Sequence, residues 1–174
     1  IFPVILEPQY SEFLADDIGP RDGQSMEALR KLRPFFDREN GTVTPGNACP
    51  ITDGAVGLLL MNEKKAKAEG LEPLGFVSGF TFSGCEPKRM GMGPTYATAE
   101  LLDAMGMSLK DIDLVELNEA FAAQVIANQR AFNSKKYAQE KLGRSTEIGE
   151  LPDDILNVNG GAIAMGHPVG ATGA

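Results

Sequence analysis

The last stretch of the chain, Asn157 to Ala174 (NVNGGAIAMGHPVGATGA), carries its only histidine, His167, between Gly166 and Pro168. Histidine is the side chain whose ordinary pKa lets it take and return a proton near neutral pH. Glycines on both sides let backbone and substrate approach it closely. The chemistry on offer is general-base catalysis, although a histidine in a loop can equally be structural, so a second feature is needed. Asp113 to Gln124 (DLVELNEAFAAQ) supplies one: Asn118 stands between an apolar run and a helical pattern. From the residues alone, Asn118 is a helix cap, or a polar group facing a ligand at a strand-to-helix junction, and the two roles are compatible.

NEAFAAQ and NVNGGAIAMGHPVGATGA resemble two of the four active-site motifs of the thiolases. TVTPGNACPITDGA, Thr42 to Ala55, is similar to the family's stretch before its second half. Order and spacing fit over nearly the whole chain. Thiolases join or split acyl-CoA thioesters through an acyl-cysteine. That chemistry needs a thiolate, a base to make it, an acid/base for the α-carbon, and donors for developing oxyanions.

The resemblance implies that His167 is the base that activates the nucleophilic cysteine and then donates to the thioester oxygen. It implies that Asn118, with a water, helps complete an oxyanion hole. Along the coenzyme A site it implies Arg21 at the nucleotide end and Leu32, Phe36, Pro45 and Cys49 beside the pantetheine arm. Met90, Ala120 and Phe121 would then line the acyl end. For Leu32, Phe36 and Phe121 an ordinary core role is equally open. The family's nucleophilic cysteine belongs upstream of Ile1, and its second cysteine to a CxG motif past Ala174. Cys49 and Cys85 stand in neither position. Cys49 falls where many thiolases carry a serine that touches the pantetheine arm, and Cys85 reads as a loop residue.

The implied fold is α/β: the thiolase fold, layered α/β/α with a mixed sheet, in partial form. Residues 1–70 correspond to the end of the N-terminal half with its loop region, and 71–174 to an incomplete C-terminal half. The implied function is acyl-CoA C-acyl transfer, namely 3-ketoacyl-CoA cleavage in fatty-acid β-oxidation or the reverse condensation. Coenzyme A enters as a substrate, with no cofactor and no metal. The implied assembly is a homo-oligomer, dimer or tetramer, or a partner subunit of a β-oxidation complex. PTYAT at 94–98 and the long insertion after the NEAF helix resemble the degradative members. The alternatives are a non-catalytic coenzyme A-binding or assembly half, an acetoacetyl-CoA-specific thiolase, and another condensing enzyme of the same fold. NEAF together with GHP argues against the last.

The elements that must position these residues follow from composition and pattern. At 174 residues the chain can bury one ordinary core. A complete thiolase subunit would be longer, and the apolar opening Ile1-Phe2-Pro3-Val4-Ile5 without an initiator Met reads as internal. A net charge of −8 and a pI near 4.7 argue against broad binding to nucleic acid or anionic membrane. Coenzyme A is itself polyanionic, so its site must be locally basic. Arg21, Arg30, Lys31 and Arg33 are the candidates, with Arg30 and Lys31 equally readable as solvated helix charges. Cys49 and Cys85 have neither disulfide nor zinc spacing. No apolar run approaches the roughly eighteen residues of a membrane span. A reducing, soluble compartment is expected, the cytoplasm or an organellar matrix.

In order, 1–23 reads as an irregular exposed connection. Ser25 caps a helix over 26–32 ended by Pro34. Thr42-Val43-Thr44 reads as a short strand inside a loop, and 55–61 as a buried strand. Asn62 caps a helix over 63–69 that stops at Gly70. A strand is expected over 74–82, a loop over 85–94, and a helix over 95–105 stopping at Gly106. A strand over 112–117 leads to a helix over 119–132. A helical insertion follows over 137–142, then a short buried strand through Ile155, Leu156 and Val158. Ala171, Thr172 and Ala174 begin a helical turn. Strands alternating with helices give the α/β class. Other glycine-rich readings fail: 166–174 lacks the Lys of a P-loop, and 160–162 lacks the dinucleotide-binding spacing.

Overall fold

Two helices with one buried polar lock between them organise the second half of the computed structural model, which describes residues 2–174. Helix α3 spans Gly93–Met105, with Pro94 in its first turn, where a missing N–H costs nothing. Gly106, at φ 64°, closes the helix with a left-handed cap. Helix α4 spans Ala122–Phe132. Between the two, the Asn128 amide is fully buried and fully used. Its Oδ1 accepts from the Thr95 N–H (3.1 Å) and hydroxyl (2.6 Å). Its Nδ2 donates to the carbonyls of Gly91 (2.7 Å) and Gln124 (2.8 Å).

Around this lock the core gathers Ala99, Leu102, Leu109, Phe132, Ile148 and Leu151. Phe132, only 2% exposed, is the largest apolar side chain in it. Helix α5, Lys135–Lys141, is capped by the Ser134 hydroxyl. Behind it Arg144 returns to α3, pairing with Asp103 and reaching the carbonyl of Ala99. A short 3₁₀ turn, Leu109–Asp111, is held by Ser108, whose N–H and hydroxyl both donate to Asp111 at 2.8 Å. Those bonds, the backbone one first, hold the Asp111 carboxyl below its ordinary range.

The first half is built differently. Val4–Leu6 (β1) and Glu12–Leu14 (β2) form an antiparallel pair with Val4 opposite Leu14. Helices α1 (Met26–Arg30) and α2 (Glu63–Ala68) begin at Ser25 and Asn62, whose side chains accept from Ala28 N and Lys64 N. Both caps are where the sequence places them. Lys31 pairs with Glu27, so this cation is engaged on the helix surface.

Several expected elements differ. The segment 1–23 contains the β1–β2 pair rather than only irregular chain; position 1 lies outside the described residues. Residues 55–61 and 74–82 are neither buried nor paired: Leu59 is 82% and Phe82 91% exposed. A strand requires a neighbour to take its N–H and C=O groups, and none runs beside these segments among the described residues. Thr42-Val43-Thr44 likewise pairs with no strand, although the Val43 carbonyl accepts from Phe35 N. The strand expected over 112–117 reduces to one parallel bridge, Val115 to Leu156. Val158, expected in a buried strand, is exposed. The loop expected over 85–94 contains a 3₁₀ segment, Pro87–Met92, running into α3. A four-residue helix, α6 (Ala162–Met165), sits in the glycine-rich stretch just before His167.

Candidate active site

Helix α4 starts at Ala122, three residues later than the pattern suggests, so Asn118 does not cap it. The first helical N–H, that of Ala122, instead donates to the carbonyl of Asn47 (2.9 Å), and Cys49 N donates to Ala120 O (3.0 Å). Ala48 and Phe121 thereby form an antiparallel bridge. The loop over 44–49 is thus seated on the turn Asn118–Phe121. Asn47 stiffens that loop by accepting from Thr44 N and donating to Thr42 O. Freed from capping, Asn118 buries its side-chain oxygen without a hydrogen-bond partner among the described residues. A buried acceptor without a protein partner costs about 1–3 kcal/mol unless something else donates to it.

The next residue, Glu119, ties this turn to the histidine stretch. Its carboxylate accepts from Asn157 Nδ2 (2.8 Å) and from Ile163 N at the start of α6 (3.3 Å). Asn157, in the left-handed region at φ 49°, also grips the backbone of Leu117. Its Oδ1 accepts from Leu117 N (2.8 Å) and its Nδ2 donates to Leu117 O (2.9 Å). The Glu119 carboxylate lies against Gly161, where a Cβ would push it off its partners. Gly166, at φ 99°, turns the chain into His167 with Thr52 pressed against its open side. His167 is half-buried, and its Nδ1 lies 2.8 Å from the Thr172 hydroxyl. The expected turn after it is present: Ala171 N and Thr172 N both donate to Pro168 O.

Of the residues expected along a ligand arm, several come together. Phe36 and Phe121 stack edge-on, 6.3 Å between ring centres, and Phe121 adjoins Ala120 and Cys49 through the bridge above. Leu32 reaches the same loop: its side chain and that of Leu29 lie against Gly46, beside Pro45. Phe36 is nevertheless 72% exposed, so it is not a core residue in this structure. Arg21 is exposed and makes no hydrogen bond or ion pair among the described residues. Met90 stands exposed on the 3₁₀ segment, with only its backbone carbonyl near Cys85 Sγ. Both cysteines are free, and no hydrogen bond joins either to His167 among the described residues. Sequence reasoning passed over Glu119, Asn157 and Thr172, each inside a quoted motif. Nothing in residue type or spacing reveals the contacts of Glu119 and Asn157 across about forty residues, whereas Thr172, five residues after His167, was within reach of a local reading.

The model of the thiolase C-terminal domain matches residues 71–174, and that of the thiolase N-terminal domain matches residues 1–64. The chain belongs to the thiolase family. The 3-ketoacyl-CoA thiolase of Pseudoalteromonas translucida is 52% identical over 169 residues, covering 96% of this chain and 38% of the relative. The dimeric peroxisomal thiolase of Saccharomyces cerevisiae superimposes with a TM-score of 0.84 at 39% identity, covering 99% of this chain and 39% of that one. The acetyl-CoA acetyltransferase of Bacillus anthracis gives 0.82 at 37% identity, covering 99% and 40%. The fold is therefore a partial thiolase fold of the mixed α/β class, and the chain spans less than half the length of these relatives. No helix among the described residues is long and apolar enough to cross a membrane.

Proposed function

We propose that the protein to which this thiolase chain belongs is an acyl-CoA C-acyltransferase. It moves an acyl group between coenzyme A and a cysteine, in 3-ketoacyl-CoA cleavage or the reverse condensation. One observation carries the reading: the Glu119–Asn157 brace joins a turn bearing an open, buried Asn118 oxygen to the loop bearing the only histidine. In this reading His167 takes the thiol proton and returns it toward the thioester oxygen. Asn118 uses its open acceptor to hold a water that donates to a developing oxyanion. Phe36, Phe121, Ala120, Cys49, Leu32 and Pro45 border the pantetheine arm, with Arg21 offered to the phosphates and Met90 to the acyl end. Coenzyme A is a substrate, and no step requires a metal.

Residues 1–70 then close the first half of the enzyme and 71–174 belong to its second half. A homo-oligomer is the proposed assembly, by likeness to the dimeric yeast enzyme, in the cytoplasm or an organellar matrix. Steady-state thiolysis of a 3-ketoacyl-CoA by the full-length protein tests the reading. His167→Ala is expected to lower kcat by roughly 10²–10⁴ while the fold survives. Turnover near the wild-type rate would remove His167 from the mechanism.

A further inference from the structure

Acting as a base takes more than a histidine in the right loop: the ring nitrogen that meets the thiol must be the one without a proton. A neutral imidazole carries its proton on Nδ1 or on Nε2, and the partner of one nitrogen decides the state of the other. In this structure Nδ1 is engaged, with Thr172 Oγ1 at 2.8 Å. The hydroxyl has a single hydrogen and two candidate acceptors, the His167 ring and the carbonyl of Pro168 at 3.1 Å. The carbonyl lies four residues back on the same helical turn, which is the habitual acceptor for a threonine hydroxyl in a helix. It also receives the N–H groups of Ala171 (2.8 Å) and Thr172 (2.9 Å). Competition for that oxygen is therefore real, and the tautomer is a measurable quantity rather than a foregone one.

We infer that Thr172 is a positioning residue: its hydroxyl gives its hydrogen to Pro168 O and accepts the Nδ1 proton of His167, leaving Nε2 as the free base. The arrangement suits both charge states. When Nε2 takes a proton from a thiol, the S–H bond breaks, an N–H bond forms and a thiolate is left. The Nδ1–H still donates to the same hydroxyl, so no partner has to move. An apolar side chain at 172 would leave the ring free to rotate and to exchange tautomers. The tautomer stands on the geometry alone, whereas its consequence for turnover rests on the acyl-transfer reading above.

Because the chain has one histidine, ¹⁵N-histidine labelling yields a single ring system whose protonated nitrogen is read directly from long-range ¹⁵N–¹H spectra. The spectra are recorded over a pH series and read on its high-pH plateau. The wild-type protein is expected to show Nδ1–H. Thr172→Ser should keep that signature, and Thr172→Val should replace it with a mixture. An Nε2–H ring in the wild type, or an unchanged ring in Thr172→Val, overturns the inference. In the full-length protein Thr172→Val is expected to lower kcat about 10–100-fold with little change in KM, the scale seen when a partner that orients a histidine is lost. Thr172→Ser should restore most of it. Equal kcat in Thr172→Val and wild type removes Thr172 from catalysis. A wild-type protein without thiolysis defeats the acyl-transfer reading and leaves the spectra to decide the tautomer.

Discussion

The segments 93–156 and 50–82 are both rich in apolar residues, yet they end in opposite conditions. In the first, Ala99, Leu102, Leu109, Phe132, Ile148 and Leu151 close on one another. In the second, Val56, Leu58, Leu59, Leu60, Phe76, Val77, Phe80 and Phe82 all face solvent. Helices explain the contrast. A helix satisfies its backbone within itself, so α3 and α4 can pack wherever their apolar stripes meet. An apolar run of strand type must first find a neighbour for its N–H and C=O groups, and only then does it have a face to bury. The candidate catalytic residues are braced from the well-packed segment. Asn118 precedes α4, and Asn157, one partner of Glu119, directly follows Ile155 and Leu156, which pack against the core.

The largest contrast should be one of stability. Phe132→Ala removes a buried ring and is expected to cost about 3–5 kcal/mol, the usual range for emptying such a site. Leu59→Ala removes an exposed side chain and should stay within about 0.5 kcal/mol. Urea unfolding of both variants measures the two, and similar costs would erase the distinction between the segments. A smaller loss is expected at the brace on activity: in the full-length protein Asn118→Ala should lower turnover by roughly 10²-fold, the scale for one oxyanion-hole group. Since Asn118 does not cap α4, the melting temperature should hardly move. A large fall in melting temperature with unchanged activity per folded molecule would return it to a structural role.

Asn128→Ala leaves Thr95 and the carbonyls of Gly91 and Gln124 without their buried partner, for about 1–3 kcal/mol each way the lock is counted. Thermal melts read it, and a neutral outcome would mean that water replaces the amide. The smallest effect is expected at the Tyr137–Tyr96 contact, 3.3 Å between hydroxyls. Burial first, then the bond to Tyr96, pushes the Tyr137 hydroxyl from 10.0 up to about 12. The folded pKa exceeds the unfolded one, so this contribution is complete below pH 10 and lost as pH rises through about 12. Alkaline melts should show a modest slope over that window in the wild type and less of it in Tyr137→Phe. Identical slopes would contradict the shift.

Legibility in the sequence followed the same division. Helices and their stops were plain because their signals are local: Ser25 and Asn62 cap as expected, and Gly106 ends α3. Paired strands were not legible, because pairing depends on residues far along the chain. Val115 and Leu156 bridge, while 74–82 finds nothing beside it. The motifs around Asn118 and His167 announced chemistry through residue type, but the carboxylate that joins them did not. Glu119 reads as the first residue of a helix, and only the fold reveals its hold on Asn157 and Ile163. The start of α4 was misplaced for a related reason: the loop carbonyl of Asn47, not an N-terminal side chain, meets the first helical N–H.

The central claim is that the Asn118 turn and the His167 loop serve one reaction. A double-mutant cycle in the full-length protein tests it most directly, with kcat for thiolysis measured for Asn118→Ala, His167→Ala and the pair. Residues that work as a unit are strongly non-additive, since losing either already forfeits what both provide. The double variant is therefore expected to turn over about as slowly as the worse single variant. Losses that multiply in full would show two independent contributions and contradict a single site braced by Glu119.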